Sequence, residues 1–197
     1  LSGVIQNIQK DEKISLLYID QNKSKSIRYL FGKDTAEHLL KEVAEAVSQI
    51  ASGDNVTLAA YGNDIFVIMI HGNDAETAAG KMAEQIINRC DELFFVDNHA
   101  VRVTLNIGIS CYPLDTCNVN DLIKNADLAM MQARAKGVNQ IQRYDDKIGN
   151  LTYSRHRIEM KLKKVSYDKE FFLYYQPQVY SDSGELCGFE ALIRWQE

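Results

Sequence analysis

The chain has 197 residues, of which 46% are apolar and 25% charged, enough to bury one full core and to leave material for part of a second unit. Its net charge of −5 offers no basic footprint for a nucleic-acid polymer or an anionic membrane, although a small anionic ligand can still be held locally. The four cysteines (Cys90, Cys111, Cys117, Cys187) form no CxxC pair, and His38, His71, His99 and His156 show no metal-ligand spacing, so free thiols in a reducing cytoplasm are expected.

A short helical opening leads into ISLLYID, residues 14–20, a β-rich run that reads as a central strand with Asp20 at its C-terminal edge. Leu39, Leu40, Val43, Ala44, Val47 and Ile50 fall at helical spacing and predict a helix over 34–50, stopped by Ser52-Gly53-Asp54-Asn55. Two strand-like runs follow, 56–61 and 65–71, joined by Gly62-Asn63-Asp64, residue types that accept the positive φ of a tight hairpin. Ala75 to Cys90 carries a second helical stripe, and 100–112 reads as one long strand ending before Pro113. A third helix over 121–136 is closed by Gly137, and a short strand is expected at 141–144.

The order strand, helix, hairpin, helix, strand, helix predicts an α+β domain on the ferredoxin-like βαββαβ plan, with strand ends and a hairpin tip gathered at one edge of an antiparallel sheet. Asp20 and Asp64 are expected to meet at that edge. Beyond Asp145 the pattern changes to a charged amphipathic helix over 150–165 and two strands, FFLYYQPQVY and ELCGFEALIRW. A hairpin and a helix are too small for a core of their own. The expected organisation is a domain over 1–147, a connecting helix over 148–169, and the start of a second domain over 170–197.

LLYIDQNKSKSI, YGNDIF, NIGISCYPLDT and NADLAMMQARAKGVNQIQRY, in that order, resemble the GGDEF (diguanylate cyclase) family, a bacterial signalling family with a nucleotidyl-cyclase-like fold. LYYQPQVYSDSGELCGFEALIRW resembles the beginning of an EAL (cyclic di-GMP phosphodiesterase) domain. The first resemblance implies synthesis of cyclic di-GMP from two GTP with Mg²⁺ (or Mn²⁺), chemistry that needs hard oxygen ligands and open backbone beside the phosphates. It also implies that Asp20 and Asp64 are the metal acids and that Gly62 keeps the motif's first glycine.

The motif departs from the family at the site. Asn63 stands at the second glycine, adding a side chain where a phosphate would meet bare backbone, and Ile65 stands at the second acid, where a side chain must assist metal binding or activate a hydroxyl. Arg28, Tyr29 and Glu37 replace the guanine-recognising residues, Arg134 replaces a phosphate-facing lysine, and Val138 replaces an arginine. The resemblance therefore implies a degenerate domain, regulatory and in contact with GTP or cyclic di-GMP through Gly62, Asn63, Glu37, Arg28 and Arg134. The alternatives are a weakly active cyclase and a dimerisation or docking module without a nucleotide site.

In the last segment Glu190, Ala191 and Leu192 match the EAL signature, with Arg194 at a phosphate-facing position, while the further ligands of that β/α barrel fall outside the chain, so phosphodiesterase turnover is not expected of it. The chain begins without methionine and stops at RWQE, and it is read as a fragment of a GGDEF-EAL protein: a cytoplasmic domain whose parent can carry a membrane anchor. Its implied partners are its own EAL domain and a second copy of the chain.

Overall fold

The computed structural model describes residues 12–22, 24–62, 64–118, 120–149, 158 and 170–196. The chain divides into two compact units, Leu1–Thr152 and Tyr153–Glu197. The opening helix, and all but Ile158 of the expected helix over 150–165, lie outside the described residues.

The first unit is built on a five-stranded sheet of order β2-β3-β1-β6-β7. Its central strand, β1 (Ile14–Gln21), is buried at every position, which explains why Leu16 to Ile19 form an apolar run in place of strict alternation. β3 (Ile65–His71) and β6 (Leu105–Tyr112) flank β1 antiparallel, and β2 (Val56–Ala60) extends the sheet beyond β3. β7 (Gln140–Arg143) runs parallel to β6, so the sheet is mixed where an antiparallel one was expected. The helix between β6 and β7 is the crossover that such a parallel pair requires.

Odd-numbered residues of β1, Leu17 and Ile19, point into the larger core. There they meet Leu39, Val43 and Val47 of one helix (Lys33–Ile50) and Ala79, Ala83 and Ile86 of another (Ala75–Cys90). The even-numbered residues Ile14, Leu16 and Tyr18 face a second cluster with Val67, Met69, Leu122, Ala126 and Met130. Full burial of each Leu or Ile contributes about 1.5–3 kcal/mol, so these two faces fix the register of β1.

In chain order the helices are α1 (Ser24–Phe31), α2 (Lys33–Ile50), α3 (Ala75–Cys90) and α4 (Asn120–Lys136). No described helix is long and apolar enough to cross a membrane. α4 lies directly on β6 at Gly108, where an added Cβ would overlap the Ala126 carbonyl and the Met130 amide. Only glycine permits that approach of helix to strand.

Two elements differ from the sequence expectation. α1 occupies a stretch read only as polar. The expected long strand over 100–112 is two: β5 (His99–Arg102) pairs with β4 (Leu93–Val96) in a separate hairpin, and β6 begins only at Leu105. The hairpin turn is Asp97-Asn98, both at positive φ (47° and 66°), the arrangement of a type I′ turn. In the second unit, β8 (Phe171–Val179) and β9 (Leu186–Trp195) form an antiparallel hairpin with a register shift at Gln178/Val179.

Candidate active site

The C-terminal end of β1 gathers the residues singled out from the sequence. Asp20 lies opposite Ile65 on β3 and Asn106 on β6. One residue on, the Gln21 N–H donates to the Asp64 carbonyl at 2.9 Å, which stitches the β2–β3 loop to the strand end. Asn22 N–H donates to the Thr104 carbonyl at 2.9 Å on the other side. The ladder that makes β1 central therefore also sets Asp20 and the Asp64 loop side by side.

Asp20 belongs to the even-numbered series that faces α4. It is only 6% exposed, and its carboxylate is ion-paired with the Arg134 guanidinium from the last turn of α4. A buried carboxylate without a partner is costly, and the bidentate-capable guanidinium suits it. Arg134, which the family resemblance places against phosphate, is thus engaged by a protein acid. Ile65, opposite Asp20, packs its side chain against the Ile14–Leu16–Tyr18–Met130 cluster. Hydrocarbon therefore occupies the position where an acid would share Asp20's surroundings.

Asp64 lines a different space. With Gln21, Ile27, Arg28, Ala36, Glu37 and Leu40 it borders a small, open surface cleft between the strand end and helices α1 and α2. Arg28 and Glu37 are both exposed at its rim, and Glu37 is paired with Lys33 at 3.5 Å, one turn earlier on α2. An acceptor-only and a donor-only group thus stand on opposite helices of one cleft. Tyr29, adjacent in α1, is 90% exposed.

Gly62 adopts φ 86°, and nothing lies within 4 Å of a Cβ added there. Its glycine is required by conformation and not by crowding. Asn63 lies outside the described residues. Val138 is half exposed beyond the end of α4.

Sequence reasoning missed a set of buried amides at this edge. Asn106 Nδ2 donates to Asn22 Oδ1 at 3.2 Å, and Asn106 Oδ1 accepts from the Gln140 N–H at 3.0 Å, joining β1, β6 and β7. Gln21 is 5% exposed, and its Oε1 is buried without a hydrogen-bond partner among the described residues. The signal was present in the run Asp20-Gln21-Asn22, but amides after a strand read as loop when burial is unknown. On the α4 face, burial pushes the Tyr18 hydroxyl pKa up, helped by Asp127 and Tyr61, and burial likewise raises the Asp127 carboxyl.

The donor set does not fit a divalent cation as it stands. Mg²⁺ takes hard oxygen ligands, commonly one or two carboxylates with waters and substrate phosphates. Here the Asp20 carboxylate is already met by a guanidinium and its neighbour across the ladder is an isoleucine. Among the described residues no group of three His, Cys, Asp or Glu side chains is placed to hold a metal.

On the second unit, Glu190, Leu192 and Arg194 lie on β9 opposite Gln176, Tyr174 and Phe172, with Ala191 opposite Tyr175. The Arg194 guanidinium stands 5.7 Å from the centroid of the Tyr174 ring, a cation–π distance.

The mixed five-stranded sheet with packed helices and a strand-end site is the architecture of nucleotidyl-cyclase-like α+β domains. The family profile described as "Diguanylate cyclase, GGDEF domain" matches residues 1–140, and the chain belongs to that family. It is similar to the "Bifunctional diguanylate cyclase/cyclic di-GMP phosphodiesterase MucR" of Pseudomonas aeruginosa, 29% identical over 194 residues, or 98% of this chain and 28% of that protein. A solved EAL/GGDEF domain protein from M. capsulatus superposes with TM-score 0.65 at 27% identity, covering 73% of this chain and 93% of the other. The isolated GGDEF domain of YfiN from Pseudomonas aeruginosa superposes with TM-score 0.68 at 22% identity, covering 72% and 83%, and shares the fold. The chain spans 28%, 22% and 28% of the length of three curated relatives that it matches.

Proposed function

We propose that this chain is a catalytically degenerate GGDEF domain of a cyclic di-GMP signalling protein, joined to the start of an EAL domain and acting as a regulatory module for it. The observation that carries the reading is Ile65. Phosphoryl transfer at this site calls for a second carboxylate beside Asp20, to hold metal or take up the proton of the attacking hydroxyl, and hydrocarbon does neither. Loss of one preorganised catalytic group commonly costs ~10²–10³ in rate, and groups acting as a unit fail together.

Any GTP contact is assigned to the cleft bordered by Arg28, Glu37 and Asp64, with Gly62 and Asn63 in the adjoining loop. A guanine ring presents an acceptor edge (O6, N7) that suits Arg28 and a donor edge (N1–H, N2–H) that suits Glu37. Fold alone does not carry function, so the assignment rests on these side chains. The EAL reading of residues 170–197 is supported by Glu190-Ala191-Leu192 on β9 and by similarity to MucR that extends over 98% of the chain.

The test uses the parent protein and reads cyclic di-GMP hydrolysis with and without GTP, in the natural sequence and in Arg28→Ala/Glu37→Ala. A hydrolysis rate that responds to GTP, and a response lost in the double variant, supports the reading. Hydrolysis indifferent to GTP and to removal of the whole first domain refutes it. Titration of the chain with a fluorescent GTP analogue separates a nucleotide-contacting module from a pure docking module, since saturable binding is expected only of the former.

A further inference from the structure

The last turn of α4 carries two cations, and they point to different partners. Lys136 reaches the Gln142 side chain on β7, at the surface, while Arg134 turns inward to Asp20. Neither residue opposite Asp20 in the ladder brings positive charge: Ile65 on β3 is apolar, and Asn106 on β6 already serves Asn22 and Gln140. Asp20 is 9% exposed in its side chain, whereas Arg134 is 54% exposed, so the acid is fixed by the sheet and the cation is delivered from outside. A buried carboxylate needs a compensating charge, and Arg134 is the group that supplies it.

We infer that Arg134 is a tethered counter-ion that takes the place of a divalent cation at Asp20, so that the strand end is satisfied without metal and is closed to it while the guanidinium is present. The inference follows from charge and placement. A guanidinium and a divalent ion compete for the same carboxylate oxygens, and the tethered one is always at hand and repels the other. With Arg134's charge removed, the buried Asp20 carboxylate loses that counter-charge, and a hydrated Mg²⁺ or Mn²⁺, commonly held through one or two carboxylates, can take its place. The inference goes beyond the functional reading, because neither GTP nor an EAL domain enters its test, and its failure leaves that reading standing.

The experiment measures Mn²⁺ binding to the chain by the loss of the free-ion EPR signal, with thermal unfolding recorded in parallel. In the natural sequence, Mn²⁺ is expected to leave the melting temperature unchanged, and Asp20→Asn is expected to leave Mn²⁺ binding unchanged. Arg134→Gln is expected to bind Mn²⁺ roughly tenfold or more tightly than the natural chain, the scale on which one adjacent unit charge moves an ionic equilibrium. Its melting temperature should rise with Mn²⁺, and Asp20→Asn in the same chain should abolish both gains.

Mn²⁺ bound by the natural chain and lost in Asp20→Asn overturns the inference, as does a folded Arg134→Gln that gains no Mn²⁺. If Arg134→Gln folds only in the presence of Mn²⁺, the inference holds. If it folds under neither condition, Arg134→Met decides: it keeps an apolar stem without the charge, so Mn²⁺ binding must rise above that of the natural chain, and no rise overturns the inference.

Discussion

Asp20 and Ile65 stand directly opposite each other in the β1–β3 ladder, the first ion-paired to Arg134 and the second packed into the apolar cluster beneath α4. Opposed residues of an antiparallel pair share a face of the sheet, so whatever occupies position 65 sets the environment of the Asp20 carboxylate. An acid there would face an acid. The present pair couples a buried salt link to hydrocarbon.

Ile65→Glu tests this directly. The new carboxylate is placed opposite Asp20 and at the margin of the apolar cluster against which Ile65 packs, so it should lower unfolding free energy by about 1–3 kcal/mol, read from urea denaturation. It should not restore cyclic di-GMP synthesis from GTP, because Asn63 and Val138 are unchanged and Arg134 still pairs with Asp20. Robust turnover in this single variant would show that the acid alone was missing.

Two glycines should respond in opposite ways to alanine. At Gly108 the methyl meets backbone of α4 at Ala126 and Met130, which cannot step aside, and a loss of about 1–3 kcal/mol or more is expected. At Gly80 in α3 the nearest atom is the Arg143 guanidinium at 2.9 Å, the far end of a flexible side chain that also pairs with Glu76. There the helix-propensity gain, about 1 kcal/mol, should offset the adjustment and leave stability unchanged or raised. Chemical denaturation of the two variants side by side checks the contrast.

Two aspartates should give stability–pH slopes of opposite sign. The Asp97 carboxyl is held below its ordinary value of 3.8, chiefly by its hydrogen bond with His38 and then by that with Thr35. Its contribution is therefore present above that value and lost as pH falls through the lowered one. Asp127 is raised from 3.8 by burial, so its contribution is present at low pH and lost as pH rises through the raised value. Asp97→Asn should flatten the acid loss of stability, while Asp127→Asn should raise stability at neutral pH. Urea midpoints across the acid range read both, and equal slopes in all three chains would contradict the assignment.

Much of the first unit could be read from the sequence because its signals are local. The apolar run Leu16 to Ile19 within β1 requires burial on both faces, the stripes of α2 and α3 require one covered face, and Gly62 marks a turn at positive φ. The β4–β5 hairpin was passed over because its turn, Asp97-Asn98, lacks the glycine that usually announces a type I′ turn, and its strands span four residues each. α1 was missed because an eight-residue helix rests on its contacts more than on its own periodicity. The mixed sheet followed from a crossover whose helix was recognised but whose closing strand was not assigned a direction.

At the site, sequence supplied the residue types and the structure supplied their pairing. That Arg134 belongs to Asp20 is a relation across 114 positions, set by how closely Gly108 lets α4 approach the sheet, and no local pattern carries it. The burial of Gln21 is likewise a property of the assembled edge.

The central claim, a GGDEF scaffold without cyclase turnover, is tested most directly by incubating the purified chain with GTP and Mg²⁺ or Mn²⁺ and resolving the products by chromatography, beside Asp64→Ala. The account predicts no cyclic di-GMP above that control with either metal. Product formed by the natural chain and lost in Asp64→Ala would contradict it.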